Sequence, residues 1–333
     1  MNWSLIFFNS IYTAVSAASA GYCLIAVGLN VHAGYTGLLN FGQAGFAAIG
    51  AYALAIPIVE FDWPWWLALF VVFAAGVLFA LLLGVPTLRL RADYLAIVTI
   101  AAAEIIRIFM RSVRFTWLTG GSDGINGFTK TFEGWNRDYF FGDKTFKFGA
   151  QSIDGYRMFM LIVGWTLVAI ISFLLWRLMK SPWGRVLRSI REDEDAARSL
   201  GKNVFAFKMQ SLVLGGVIGS LGGVVFAMQQ QSAQSDQFRT NLTFFAYTIV
   251  VLGGLARILG PIAGTLVFYF VMQLTDNLLD QATRHETLPT WLVDSGNYAQ
   301  VKFIVAGIAL SLLVIFRPQG IFGDRKEQAF DVR

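Results

Sequence analysis

Apolar runs follow one another from Leu5 to Phe316, separated by polar or charged stretches that are mostly short. A helix crossing a bilayer takes roughly 20 apolar residues, and runs over 5–29, 37–59, 65–84, 94–111, 156–178, 209–230, 242–256, 259–279 and 301–316 meet or approach that length, so about nine membrane segments are predicted. The runs at 94–111, 242–256 and 301–316 are short, which predicts little tilt, a break, or shielding by neighbours. With the N-terminus outside and strict alternation, the inner regions are 30–36, 85–93, 179–208, the turn at Arg257 and the tail after Phe316. They carry Arg89, Arg91, Lys180, Arg185, Arg188, Arg191, Arg198, Lys202, Lys208, Arg257, Arg317, Arg325 and Lys326, as the bias of Lys and Arg toward the cytoplasm requires. The C-terminus is then cytoplasmic.

Two connections depart from the short-loop pattern. Residues 112–155 mix Gly and Asp turns with aromatics, and their basic residues are balanced by Asp123, Glu133, Asp138, Asp143 and Asp154. Long loops cross regardless of charge, so this one reads as a folded external cap. A second external segment, 280–300, contains "RHETLPTW" and is expected to pack nearby. The opposite connection, 179–208, is the one long inner loop.

Composition sharpens the class. Of 333 residues, 56% are hydrophobic and 14% charged, against about 25% charged in an ordinary soluble domain, so residues 1–333 read as a single all-α, polytopic integral membrane bundle. The formal charge of +5 is an orientation signal here, and no basic patch alternates with stacking aromatics as nucleic-acid binding would need. Cys23, the single cysteine, allows no intramolecular disulfide. Small residues over Ser16–Ala20 resemble a cleavage site, but no Lys or Arg precedes them, and a retained first span is expected.

Small and polar groups inside the apolar runs carry the candidate chemistry. Gly34, Gly37, Gly42, Gly45 and Gly50, then Gly215, Gly219 and Gly223, then Gly260 and Gly264, predict close helix packing. Asn40 and Gln43, three apart, are predicted to share a helical face; amides avoid lipid, so they serve either a hydrogen bond between helices or a translocation pathway. Glu104 and Arg107 repeat the spacing and either neutralise each other or line a watery route.

In the inner loop, "SPWGRVLRSIREDEDAARSLGKN" begins with a Ser-Pro helix start, and Leu187 and Ile190 share a face. Glu192 to Asp195, including Glu194, suit the N-terminus of a second short helix, with Arg198 in its last turn, Gly201 as its stop, and Ala197 and Leu200 on its apolar side. Such narrow stripes call for either the membrane surface or a docking partner, and the four clustered acids favour a protein. No G-x-x-x-x-G-K-[ST] occurs, and two histidines, His32 and His285, with one cysteine are too few for a His/Cys zinc site. No catalytic residues, metal site or cofactor are expected.

At this point the chain resembles the permease subunits of bacterial branched-chain amino acid ABC importers, in particular the longer of the two permeases those systems use. The resemblance rests on five ordered blocks: "GLNVHAGYTGLLNFGQAGFAAIGAY", "PTLRLRADYLAIVTIAAAEIIRI" followed by "LTGGSDGI", "SPWGRVLRSIREDEDAARSLG", "VLGGLARILGPIAGT" and "RPQGIFG". It implies a multi-pass protein of the bacterial inner or plasma membrane, with a second homologous permease, two cytosolic ATP-binding subunits and an extracytoplasmic solute-binding protein as partners. Loop 179–208 then becomes the coupling element, with Arg185, Leu187, Ile190, Glu192, Glu194, Ala197, Leu200 and Gly201 toward an ATPase, while Asn40, Gln43, Glu104 and Arg107 mark the route. The chain itself is then no enzyme. Two departures stand out: the family often has a histidine where Gln43 stands, and the cap around 129–155 is individual to this chain. Leucine, isoleucine and valine are the expected solutes; urea or short amides, and an ion-coupled carrier working alone, are the alternatives.

Overall fold

The computed structural model describes residues 3–88, 92–142, 144–148, 151–284, 298–316 and 319–323. Arg89, Arg91, Asp143, His285, most of the second external segment, Arg317, Arg325 and Lys326 lie outside the described residues. The protein is an all-α bundle with two minor strand pairs.

The first predicted run is two helices, α1 (Trp3–Val15) and α2 (Ala17–Leu29). Ser16 breaks them, its extended backbone and side chain capping α2 by accepting the Ser19 N–H. The predicted inner connection 30–36 is corrected: it is a π-helical stretch, Asn30–Thr36, continuing α2 without a loop. Its wide turn is matched by Thr36, whose hydroxyl donates to the Val31 carbonyl five residues back at 3.0 Å. The stretch ends at Gly37, in the left-handed region at φ 73°. Residues 37–42, predicted as the start of a span, are a non-helical loop, and α3 (Gln43–Glu60) begins only at Gln43. Asn40 and Gln43 therefore do not share a helical face; Asn40 turns back to accept the Gly42 N–H at 2.8 Å.

Beyond these come α4 (Trp65–Thr87), α5 (Ala92–Arg111), the short α6 (Thr116–Thr119) and β1 (Ile125–Asn126). Then follow α7 (Lys130–Tyr139), a hairpin of β2 (Thr145–Phe148) and β3 (Gln151–Asp154), and α8 (Gly155–Lys180). The rest comprises α9 (Pro182–Glu192), α10 (Glu194–Ser199), α11 (Val204–Gln230), β4 (Ser232–Ala233), α12 (Asn241–Gly253), α13 (Leu259–Arg284) and α14 (Tyr298–Phe316). Among the described residues six helices are long and apolar enough to cross a membrane: α2 with its π stretch, α3, α4, α8, α11 and α13. Trp3–Val15, Asn241–Gly253 and Phe303–Leu312 are shorter apolar helices, and α5 is long but carries Glu104, Arg107 and Arg111.

Helix α11 forms the centre, meeting α2 and α3 along glycine seams. A Cβ on Gly21 would lie 3.0 Å from the Gly222 carbonyl, and side chains on Gly28, Gly50 or Gly223 would strike the backbone of Gly215, Ser220 or Ala47. Without a solvent-driven force between helices in lipid, such close main-chain packing supplies the attraction. Helices α4 and α8 turn Phe70, Leu78, Leu82, Phe173 and Leu174 outward, an apolar surface suited to lipid.

The bundle has two distinct ends. At one, Asn30 accepts the Ala256 N–H and donates to the Arg257 carbonyl, while Ile321 and Phe322 donate to Leu252 and Gly253. Helices α9 and α10 sit here. At the other, β1 pairs antiparallel with β4, Tyr156 donates to the Met228 carbonyl at 2.9 Å, and Trp65 packs edge-on against Phe132 and Trp135.

Candidate functional site

Polar and charged side chains gather in three groups. The first is a buried polar network at the π end of α2. Helix α11 offers the Leu212 carbonyl to His32 Nε2 at 3.2 Å, which makes Nε2 the donor and leaves Nδ1 to accept from Asn40 Nδ2 at 3.0 Å. The second proton of Asn40 Nδ2 goes to Gln43 Oε1 at 3.2 Å, and Gln43 Nε2 donates to the carbonyls of Ile25 and Gly215. All three side chains are fully buried, and every N–H of both amides is engaged. The glycines make the room: a Cβ at Gly28 would come within 2.7 Å of Gln43 Nε2, and one at Gly215 or Gly219 would collide with His32 or Gln43. Beside it Thr36 and Ser211 form a 2.6 Å hydroxyl pair on the Val31 carbonyl.

The second group is charged and lies toward the cap. Arg107 grips Glu104 through Nε and Nη2, and reaches across to Asp236 at 3.1 Å. Asp236 stands in a 3-10 turn, Ser235–Phe238, where Arg239 and Arg111 also approach it at 3.2 and 3.7 Å. Asp236 is thereby shared among three arginines. Glu104 and Arg107 thus pair with each other and also latch α5 to the link between α11 and α12.

The third group is the predicted two-helix loop. Ser181 and Pro182 open α9, Asp193 caps α10 by accepting the Ala196 N–H at 2.9 Å, Arg198 stands in its last turn, and Gly201 follows at φ 77°. The apolar stripe is mostly spent inside the chain: Leu187 joins the main core, while Ile190 and Ala197 pack with Val204, Val186 and Phe207. Glu194 is held by Arg198 at 2.9 Å and by Lys208. Leu200, 79% exposed, is left outward with Arg185, Glu192 and Gly201. The stripe is shorter than the sequence suggests because α11 offers Val204 and Phe207 to cover it.

The sequence reading missed the residue that joins this unit to the bundle. Arg191 Nη1 donates to the Gly34 carbonyl at 2.6 Å, and its Cγ sits where a side chain on Gly37 would have to go. Arg188 lies over the Tyr35 ring, 5.6 Å from its centroid. Helix α9 thereby grips the π stretch directly. His32 was likewise legible only as a polar residue inside an apolar run; Asn30 gave the same signal. Elsewhere, a cavity of about 190 Å³ lies between α1, α2, α12, α13 and α14, walled mainly by Tyr22, Phe245, Phe268, Tyr269 and Met272.

Comparison with known proteins places these features in context. Residues 11–315 match the model of a family described as branched-chain amino acid transport system / permease component. The chain is 31% identical over 313 residues to the high-affinity branched-chain amino acid transport system permease protein LivM of Escherichia coli K12, covering 90% of this chain and 67% of that one. The Salmonella typhimurium LivM is 31% identical over 309 residues, with the same coverage. A probable branched-chain amino acid transport permease protein LivM of Methanocaldococcus jannaschii is 24% identical over 352 aligned positions, covering 91% of each chain. No solved structure matches.

Proposed function

Because the chain belongs to the permease family of branched-chain amino acid transport systems, we propose that it is the membrane subunit of an ATP-driven importer moving leucine, isoleucine and valine by alternating access. The assembly comprises a second homologous permease, two cytosolic ATP-binding subunits and an extracytoplasmic solute-binding protein. The end bearing α9 and α10 faces the cytoplasm, and the 112–155 cap is external. Supporting this orientation, Lys180, Arg185, Arg188, Arg191, Arg198, Lys202, Lys208 and Arg257 all gather at that end.

The observation that carries the reading is the way α9 and α10 are built. They are fixed to the bundle by Leu187, Ile190, Ala197 and Glu194, yet they leave Leu200 exposed, along with Arg185, Glu192 and Gly201. That is what a coupling element needs: a firm root and a free tip. Motion of an ATPase seated on Leu200 passes through α9 to Arg191, and from Arg191 to the π stretch and loop 37–42. Asn40 and Gln43 brace this loop from behind the route, while Glu104 and Arg107 stand at its outer part.

The test is uptake of labelled leucine and labelled urea, in parallel, by cells with and without the chain. Leucine uptake that depends on the chain supports the reading; urea dependence alone keeps the importer and replaces its solute. Leu200→Asp is expected to abolish uptake while the protein still inserts, and normal uptake in that variant removes the coupling role.

A further inference from the structure

One face of the molecule does not suit lipid although much of it lies at membrane depth. Helix α11 has 27 residues and spans about 40 Å, whereas α12 has 13 and spans about 20 Å before ending at the α9 end of the bundle. The chain from Gln231 to Thr240 must therefore descend into the bundle before α12 can begin. It does so as "QSAQSDQFRT", polar and mostly non-helical. Non-helical backbone at this depth is tolerated only when buried in protein or lining water. Loop 37–42 is a second such stretch, and both lie against α5: Asp236 meets Arg107, and the Phe41 N–H donates to Thr99 Oγ1 at 3.0 Å. A side chain on Gly42 would come within 2.6 Å of the Thr99 carbonyl.

Along α5, Thr99 and Arg107 are two turns apart on one face, about 12 Å. At the Arg107 level the surface carries both charge signs, with Asp236 and Glu104 partly exposed among arginines. At the Thr99 level it is aromatic. Phe41 stacks on Tyr247 with centroids 4.5 Å apart and meets Phe244 at 5.7 Å, and Phe244 remains 47% exposed. Tyr247 is fixed by its hydroxyl, which donates to the Asn40 carbonyl at 3.2 Å.

We infer that Phe41, Phe244 and Tyr247 form the apolar wall of a water-filled solute route, below an outer station of mixed charge, and that the route takes zwitterions with an apolar side chain. This rests on the permease reading above. The charged station receives the ammonium and carboxylate groups, and the aromatic step carries the side chain past the loop that Arg191 controls. Phe41 belongs to that loop, so the wall moves with it.

Thiol labelling tests the proposal in isolated membranes of cells carrying the whole transport system, where both faces are open. Cys23 is fully buried and gives a silent background. Phe244→Cys is treated with a small, charged methanethiosulfonate beside Phe173→Cys on the apolar flank of α8. The wet surface is expected to react about tenfold faster, because the thiolate forms only where water reaches it. Equal labelling at the two positions overturns the proposal. Phe41→Leu supplies the second readout: the ratio of leucine to alanine uptake is expected to fall several-fold, and equal losses for both solutes remove the side-chain contact. Should the unaltered system carry no amino acid at all, the permease assignment of solute fails, while the labelling still decides whether this face is wet.

Discussion

At the scale of single residues, burial separates groups that the sequence presents alike. Ile190 and Leu200 sit on neighbouring apolar stripes, but Ile190 is 3% exposed and Leu200 is 79% exposed. Ile190→Asp places a charge in the α9–α11 contact and is expected to cost about 3 kcal/mol or more, read as loss of folded protein in detergent. Leu200→Asp should leave the thermal midpoint unchanged and act only on the assembled complex. Asn40→Ala strands His32 Nδ1 and Gln43 Oε1 inside the bundle and is expected to cost about 1–3 kcal/mol, measured as a lower melting temperature. The amides at 40 and 43 could be recognised from sequence as groups that need partners. Their partners could not, because the Leu212 and Gly215 carbonyls are main-chain groups and leave no trace in side-chain patterning.

At the scale of elements, the apolar runs marked the spans well wherever a helix is continuous and bounded by turns. They failed at Ser16 and at 30–42, where a break and a π stretch fall inside residues that are apolar and small on both sides. Hydropathy counts residues and cannot tell an α turn from a π turn. Single-turn π insertions recur at functional positions, and this one is gripped by α9. Arg191→Ala is expected to cut uptake per ATP hydrolysed about tenfold, since a charge-assisted hydrogen bond is worth about 1.5–3 kcal/mol. Arg191→Lys should recover part of it. Uptake and hydrolysis measured on one preparation give the ratio, and a proportionate fall in both would mean that Arg191 only stabilises the fold.

At the scale of the whole molecule, charge is sorted by end and by face. The latch around Asp236 ties α5 to the link between α11 and α12, and it depends on an ionised carboxylate. Asp236→Asn is expected to lower the melting temperature, because Arg107, Arg111 and Arg239 lose their shared carboxylate. The overall bundle was legible because lipid writes itself into composition, and the two helices of 179–208 were legible from their start and stop residues. The latch was not, since Arg107 and Asp236 lie 129 residues apart in the chain.

The network at His32 also imposes an order in time. Its acceptor on α11, the Leu212 carbonyl, is 180 residues downstream, and at roughly 5–20 residues per second the ribosome needs about 10–40 seconds to deliver it. Through that interval the imidazole lacks its Leu212 acceptor, and the Gln43 amide has the Ile25 carbonyl but not that of Gly215. A chain arrested before Val204 should therefore be held by the insertion machinery or cleared by membrane proteases, and pulse-chase lifetimes of such truncations would lengthen abruptly once α11 is included.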